Sequence, residues 1–349
     1  MIEAYLDDLE SRIDESVEAA LWNEWRGFYE GRRAAGAVFS PRRPAPAPPK
    51  LAWPAVAVND VFTDPEKMLY QQFKGVSDAL AAGTGHLLCV RCNYSTAILP
   101  SLFGTELFMM DPALNTLPTA RPLAGGVEAI KAVLDRGAPD LRAGLGGPVF
   151  EMAERFREVF RRRPKLGRHV RLYHPDLQGP MDVCELIWGS SIFYAAYDEP
   201  ELVQGLLRLV TGTYERFMDA WLPLETREDG PYSVHWSLMV KGRIMLRDDS
   251  AMNFSPEMYD AFLAPYDGRL LKRYGGSVHF CGRGDHYIDR LAGTEGLTSI
   301  QMSQPDYNDM ERIYAQTVDK GIPLLGFNRK AAEAAQARGR DLHGLVHLW

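Results

Sequence analysis

The chain has 349 residues, 46% of them hydrophobic and 24% charged, which is an ordinary globular balance and suits one large α/β barrel with additions or two medium domains. A net charge of −7 offers nothing to a phosphate backbone, so no nucleic-acid partner is expected. Four cysteines (Cys89, Cys92, Cys184, Cys281) are too few for a disulfide framework. Residues 1–26 carry acids throughout and lack the apolar stretch of a signal peptide, and no apolar run approaches the ~20 residues of a membrane span. The expectation is a protein of the reducing cytoplasm.

In chain order, apolar Leu6, Leu9, Ile13, Val17, Leu21 and Trp25 recur at helical spacing and predict one helix over the first ~35 residues. The proline-rich stretch 41–54 reads as an extended strap, because proline fixes φ and has no N–H to donate. The expected division is a helix and strap over 1–60, packed on a body over 61–349. Asp64-Pro65-Glu66 opens a helix, a cap followed by proline and an acid. Residues 85–90 read as a strand, 125–136 and 151–163 as helices, and 170–173 as a strand. The basic run Arg161-Arg162-Arg163 reads as a solvated helix end. A helix over 182–197 is apolar nearly all round and therefore expected to be buried, and another covers 199–221. Strands follow at 232–236 and 244–246. Ser255-Pro256-Glu257 caps a helix that Pro265 should kink and Gly275-Gly276 should end. Strands at 277–280, 297–302, 322–327 and 344–348 then alternate with helices at 285–292, 306–320 and 330–338. Such alternation predicts a parallel sheet, and about eight units favour a single (β/α)₈ TIM barrel. No Gly-rich dinucleotide fingerprint follows a strand.

In a parallel barrel the chemistry sits at the C-terminal strand ends. These ends carry Arg91, Asn93 and Tyr94; His174 and Gln178; His235 and Trp236; Asp248 and Asp249; His279 and Cys281; Gln301; Asn328; and His347. His279 and Cys281 are the sharpest pair, because residues i and i+2 of a strand share a side and can reach one ion, while Gly282 lets the chain turn away. Histidine with thiolate suits zinc, and a catalytic zinc needs a further ligand, for which His347 and His235 are the candidates. Asp248 and Asp249, with His235, are candidates to divide acid and base roles, and Arg91 to clamp a carboxylate. Asn93, Tyr94, His174, Gln178, Trp236, Gln301 and Asn328 are candidates to line a small-molecule pocket.

The segment with Arg247-Asp248-Asp249-Ser250, Phe254-Ser255-Pro256-Glu257 and His279-Phe280-Cys281-Gly282 resembles the C-terminal half of the uroporphyrinogen decarboxylase superfamily. Asp176–Pro180 with Asp198-Glu199-Pro200-Glu201-Leu202 resembles its central part, and Pro100-Ser101-Leu102-Phe103-Gly104 a segment near its start, so the likeness covers about 64–349. The resemblance implies a (β/α)₈ barrel and two chemistries. One is cofactor-free decarboxylation of a porphyrinogen, which relies on an N-terminal arginine-rich segment that this chain does not show. The other is cobamide-dependent methyl transfer to a thiol, with zinc held by a His-x-Cys pair and a distant cysteine. His279 and Cys281 match that pair, whereas the last strand end offers His347 in place of the distant cysteine. The expectation is zinc-assisted methyl transfer with a corrinoid as co-substrate, a corrinoid protein as a possible partner, and a homo-oligomer as a possible state. Decarboxylation of a polycarboxylate and non-catalytic binding of a corrinoid or tetrapyrrole are the alternatives.

Overall fold

The computed structural model describes residues 2–32, 38–225 and 230–349. It is a mixed α/β structure with a parallel sheet, and its strands in chain order are β1 (Cys89–Val90), β2 (Glu106–Phe108), β3 (Thr119–Arg121), β4 (Arg171–Leu172), β5 (Tyr232–His235), β6 (Leu238–Lys241), β7 (Ile244–Arg247), β8 (Gly276–Phe280), β9 (Leu297–Met302), β10 (Leu324–Phe327) and β11 (Val346–Leu348). β7 to β11 form one five-stranded sheet in sequence order, and every pairing in it is parallel. β1 and β4 form a second parallel pair, while β2–β3 and β5–β6 are antiparallel hairpins.

The ladder is therefore not the continuous eight-stranded ring that the alternation predicts. Single bonds stand where ladders would. On one side the Gly179 N–H donates to the Arg247 carbonyl (2.8 Å), and the imidazole Nε2 of His174 accepts the Met245 N–H (3.2 Å). On the other side Phe39 pairs with His347 and Arg42 with Thr84, just ahead of β1. The segment 232–236 is not a strand of the parallel set. It turns back at Trp236-Ser237 and pairs with β6.

Two apolar cores explain why both faces of the sheet are dry. One lies between the strands and the surrounding helices, with Leu246, Val278, Ile300 and Phe327 against residues such as Tyr259, Leu270 and Tyr314. The other holds Met245 and Leu325 with Val234, Leu238 and Met239 of the hairpin and Leu21, Trp25 and Phe28 near the N-terminus. The hairpin is fastened there: Tyr29 donates its hydroxyl to the Met239 carbonyl (2.9 Å) and the Leu87 N–H donates to the Ser237 carbonyl (3.0 Å).

The helices follow their sequence signals with five corrections, one being that 306–320 is α-helical only over Met310–Gln316, which Asp309 caps, with 3₁₀ turns at Pro305–Tyr307 and Val318–Lys320. The first helix is two, Glu3–Arg12 and Glu15–Tyr29, because Ile13 leaves the helix and Asp14 caps a new one through the N–H groups of Ser16 and Val17. Residues 182–197 also divide, into Pro180–Trp188 and Ile192–Asp198, at Gly189; Tyr194 and Tyr197 of the second piece are exposed rather than buried. Pro265 breaks its helix outright, giving Pro256–Phe262 and Ala264–Tyr274. In the basic run, Arg163 is buried and pairs with Glu3 and Asp7, while Arg161 and Arg162 pair with Glu158. Asp64 caps Pro65–Ala82 as its sequence predicts. The proline-rich strap runs between that helix and the first: the Ala47 N–H donates to the Leu80 carbonyl, and Arg12 donates to the Ala47 carbonyl. All four cysteines are free thiols. Among the described residues no helix is long and apolar enough to cross a membrane.

Candidate metal centre

Register builds the site. In the parallel ladder Arg247 of β7 stands opposite His279 of β8, which stands opposite Gln301 of β9. Register partners of a sheet share a face, and so do residues two apart on one strand. The next step along the three strands brings Asp249, Cys281 and Ser303 beside one another. Three adjacent strand ends thus present two rows of polar side chains at the C-terminal edge, where a helix-covered parallel sheet keeps its ligands.

Asp249, His279 and Cys281 converge. Their ligand atoms all lie within 4.8 Å of one another. His279 Nε2 is 3.4 Å from Asp249 Oδ1 and 3.3 Å from Cys281 Sγ. Metal arms of about 2.0–2.3 Å in a tetrahedron span edges of roughly 3.3–3.8 Å, and the two edges that meet at Nε2 have that length. The other side of His279 is fixed by Gln301, whose Oε1 accepts from Nδ1. That bond leaves Nε2 as the nitrogen facing Asp249 and Cys281. Asp249 is held in turn: its Oδ1 accepts the Cys281 N–H (2.8 Å), and its own N–H donates to Asp182 Oδ2 (2.9 Å).

Without a metal, His279 and Asp249 pair as opposite charges. Burial works against an imidazolium at His279, yet the bonds to Asp249 and Cys281 outweigh it and raise its pKa to about 9. Burial likewise works against the Asp249 carboxylate, and the same contacts hold its pKa below the ordinary value. The Asp249 side chain is 46% exposed, so the cluster has one wet side.

The neighbouring turn is tied by amides. Gln304 Oε1 accepts the Gly282 N–H (2.6 Å), and Asn308 Oδ1 accepts those of Gly284 (2.7 Å) and Asp285 (3.0 Å). Gly282 takes φ 73, the left-handed turn expected of it. Asp182, Gln304 and Asn308 lie off the strands that sequence reasoning searched, and their only signal is a polar side chain near a turn.

A second cluster lies beside the first. Asp176 is flanked by Arg247 (3.0 Å) and Arg91 (3.3 Å) and accepts from Gln178. Trp236 lies 4.5 Å from the Arg247 guanidinium and meets the His279 ring perpendicularly at 5.2 Å. Arg91 is thus engaged by a protein carboxylate. Asn93 donates to Gln71 (2.9 Å) but leaves its Oδ1 without a partner among the described residues, and Tyr94 packs edge-on against Phe62. His235 is fully buried, 3.9 Å from the His174 ring, and neither of its ring nitrogens has a hydrogen-bond partner among the described residues. Asp248, also buried and with both oxygens unbonded among the described residues, has its pKa pushed up by burial and by Asp267.

Three expected site residues are used elsewhere. His347 is not part of the ligand group: two strands, β9 and β10, separate it from β8, its Nδ1 accepts the Gly326 N–H (3.0 Å), and Trp25 packs on its ring (4.5 Å). The third ligand-type group is Asp249. Asn328 caps the helix Arg329–Ala337 through the Ala331 N–H. His174 spends Nδ1 on the Pro175 carbonyl and Nε2 on Met245, so it ties β4 to β7. A cavity of about 610 Å³ lined by Trp22, Arg26, Leu88, Arg171 and Tyr232 opens at the N-terminal ends of β1 and β4 and includes none of the three ligand-type residues.

No family model matches the chain, and no curated protein matches it. Among solved structures it is similar in fold to a methyltransferase from Methanosarcina mazei, with a TM-score of 0.55 and 16% identity over 86% of this chain and 80% of that one. At that identity the likeness shows a shared fold.

Proposed function

We propose that the chain is a metal-assisted methyltransferase in which Asp249, His279 and Cys281 hold zinc. The convergence of these three donors at the ends of β7 and β8, with His279 already oriented by Gln301, carries the reading. The fold shared with the Methanosarcina mazei methyltransferase supports it, as does the resemblance of the 244–284 segment to the uroporphyrinogen decarboxylase superfamily. On this reading the parallel strands are arcs of one (β/α)₈ barrel over residues 61–349, and Asp249 takes the place expected of a distant cysteine. When bound, zinc supplies a Lewis acid that favours the thiolate form of an acceptor thiol.

The chain's own residues perform the rest. His279 is kept in the tautomer that turns Nε2 to the site. Asp249 presents a carboxylate on the wet side, where the acceptor enters and its proton leaves to solvent. The acceptor sulfur takes the methyl group, and the donor departs with the electron pair of the broken bond. A corrinoid or another methylated small molecule is the donor on this reading. Cofactor-free decarboxylation is less well supported, because Arg91 is paired with Asp176 and Asp248 is wholly buried.

Metal content of the purified protein, beside Asp249→Ala, His279→Ala and Cys281→Ser, tests the proposal. The expected result is about one zinc per chain, lost or sharply reduced in each variant. Wild-type protein that neither carries zinc nor takes it up would overturn it.

A further inference from the structure

The β5–β6 hairpin closes on two residues, Trp236 and Ser237, with φ of 45° and 62°. Two successive left-handed residues are the mark of the turn that Asn-Gly favours, and a tryptophan is poorly suited to it. The segment keeps this unfavourable conformation at the point where the hairpin tip meets the candidate centre. The indole that it carries touches two members of the polar rows at once, Arg247 at 4.5 Å and His279 at 5.2 Å. His279 is thereby restrained by Gln301 at Nδ1, by Asp249 and Cys281 at Nε2, and by a ring against its flank. Trp236 is half-buried against the hairpin core, yet that packing alone does not require so unfavourable a backbone angle, because a glycine or asparagine would close the same hairpin without strain.

We infer that Trp236 is a positioning residue that holds His279 turned toward Asp249 and Cys281, and that the strained turn is retained for that purpose. The inference rests on the metal-centre reading. It predicts that the ring and the turn can be separated. Trp236→Asn supplies a residue the turn prefers and removes the ring; Trp236→Phe keeps an aromatic wall; Ser237→Gly relaxes the turn and leaves the ring in place.

The experiment measures Zn²⁺ affinity by chelator competition, the absorption spectrum of the Co²⁺-loaded proteins, and the metal-free rate of iodoacetamide alkylation at Cys281 by peptide mapping. Trp236→Asn should lose ~10–100-fold in Zn²⁺ affinity, as loss of a partner that orients a ligand does, and alter both the Co²⁺ spectrum and the Cys281 rate. Trp236→Phe should restore most of each, and Ser237→Gly should match wild type in all three. If Trp236→Asn binds zinc as wild type does, with an unchanged Co²⁺ spectrum and alkylation rate, the inference fails while the metal centre stands. Should wild type bind no metal, the metal-centre proposal fails, and the alkylation comparison decides Trp236: a rate changed in Trp236→Asn and restored in Trp236→Phe supports positioning, and an unchanged rate overturns it. Should Trp236→Asn fail to fold, Trp236→Leu against Trp236→Phe makes the same comparison.

Discussion

Gln301→Leu removes the only hydrogen bond to His279 Nδ1 seen among the described residues while nearly conserving volume. Gln301 is 7% exposed and His279 likewise 7%, so water does not readily replace the lost acceptor. Two costs follow. A buried N–H left unbonded destabilises the fold by about 1–3 kcal/mol. In addition, the ring is no longer fixed with Nε2 toward Asp249 and Cys281, and loss of such a partner lowers metal affinity by about 10–100-fold, or roughly 1.4–2.7 kcal/mol. Gln301→Glu keeps an acceptor oxygen at the same reach and should restore affinity. Chelator competition with Zn²⁺ gives the affinities, and urea unfolding of the metal-free proteins gives the stabilities. Wild-type affinity in Gln301→Leu, or equal losses in the Leu and Glu variants, would refute the claim that Gln301 orients His279.

Two further predictions concern the fold. Glu18 and Arg43 form a pair with two 2.7 Å bonds and side chains 5% and 3% exposed, so Arg43→Ala should cost about 3–5 kcal/mol in urea unfolding by stranding the Glu18 charge. The joint replacement Glu18→Leu with Arg43→Met should recover much of it; a joint variant no more stable than Arg43→Ala would contradict this account. Burial lowers the pKa of His174 and of His347 to about 3. The unfolded chain takes up those protons near pH 6.5 and the folded chain does not, so this stabilisation is full above pH 6.5 and disappears as pH falls toward 3. Each group contributes at most about 5 kcal/mol across that window. His347→Gln should flatten the acid limb of the urea stability profile, and an unchanged limb would show that His347 does not carry it.

Much of the element order is legible because helix and strand periods are local. The caps at Asp64 and Ser255 and the strand at 297–302 follow directly from their own residues. What escapes the sequence is pairing. Val234 reads as a strand residue, but whether 232–236 joins a parallel ladder or folds back depends on a turn at Trp236-Ser237 that carries no Gly, Asn or Asp. The helix breaks at Ile13 and Leu263 were missed for a related reason, since the apolar spacing continues across both while Asp14 and Pro265 start new helices.

The same distinction governs the site. His279 and Cys281 were legible as a pair because their proximity follows from strand geometry alone. Asp249 was legible as a strand-end carboxylate but not as their neighbour, because thirty residues separate it from His279 and only the β7–β8 register brings them together. A one-residue slip in that register would send the whole side-chain set of β7 to the opposite face. His347 was attractive as a histidine at the last strand end, yet in the sheet order it lies beyond β9 and β10 and meets Trp25. A lone His-x-Cys is a weak pattern. Its force here comes from the flanking strands, where Arg247-x-Asp249 and Gln301-x-Ser303 repeat the same i, i+2 spacing in register, so that Gln301 in one row orients the imidazole and the next row sets Asp249 and Cys281 beside it.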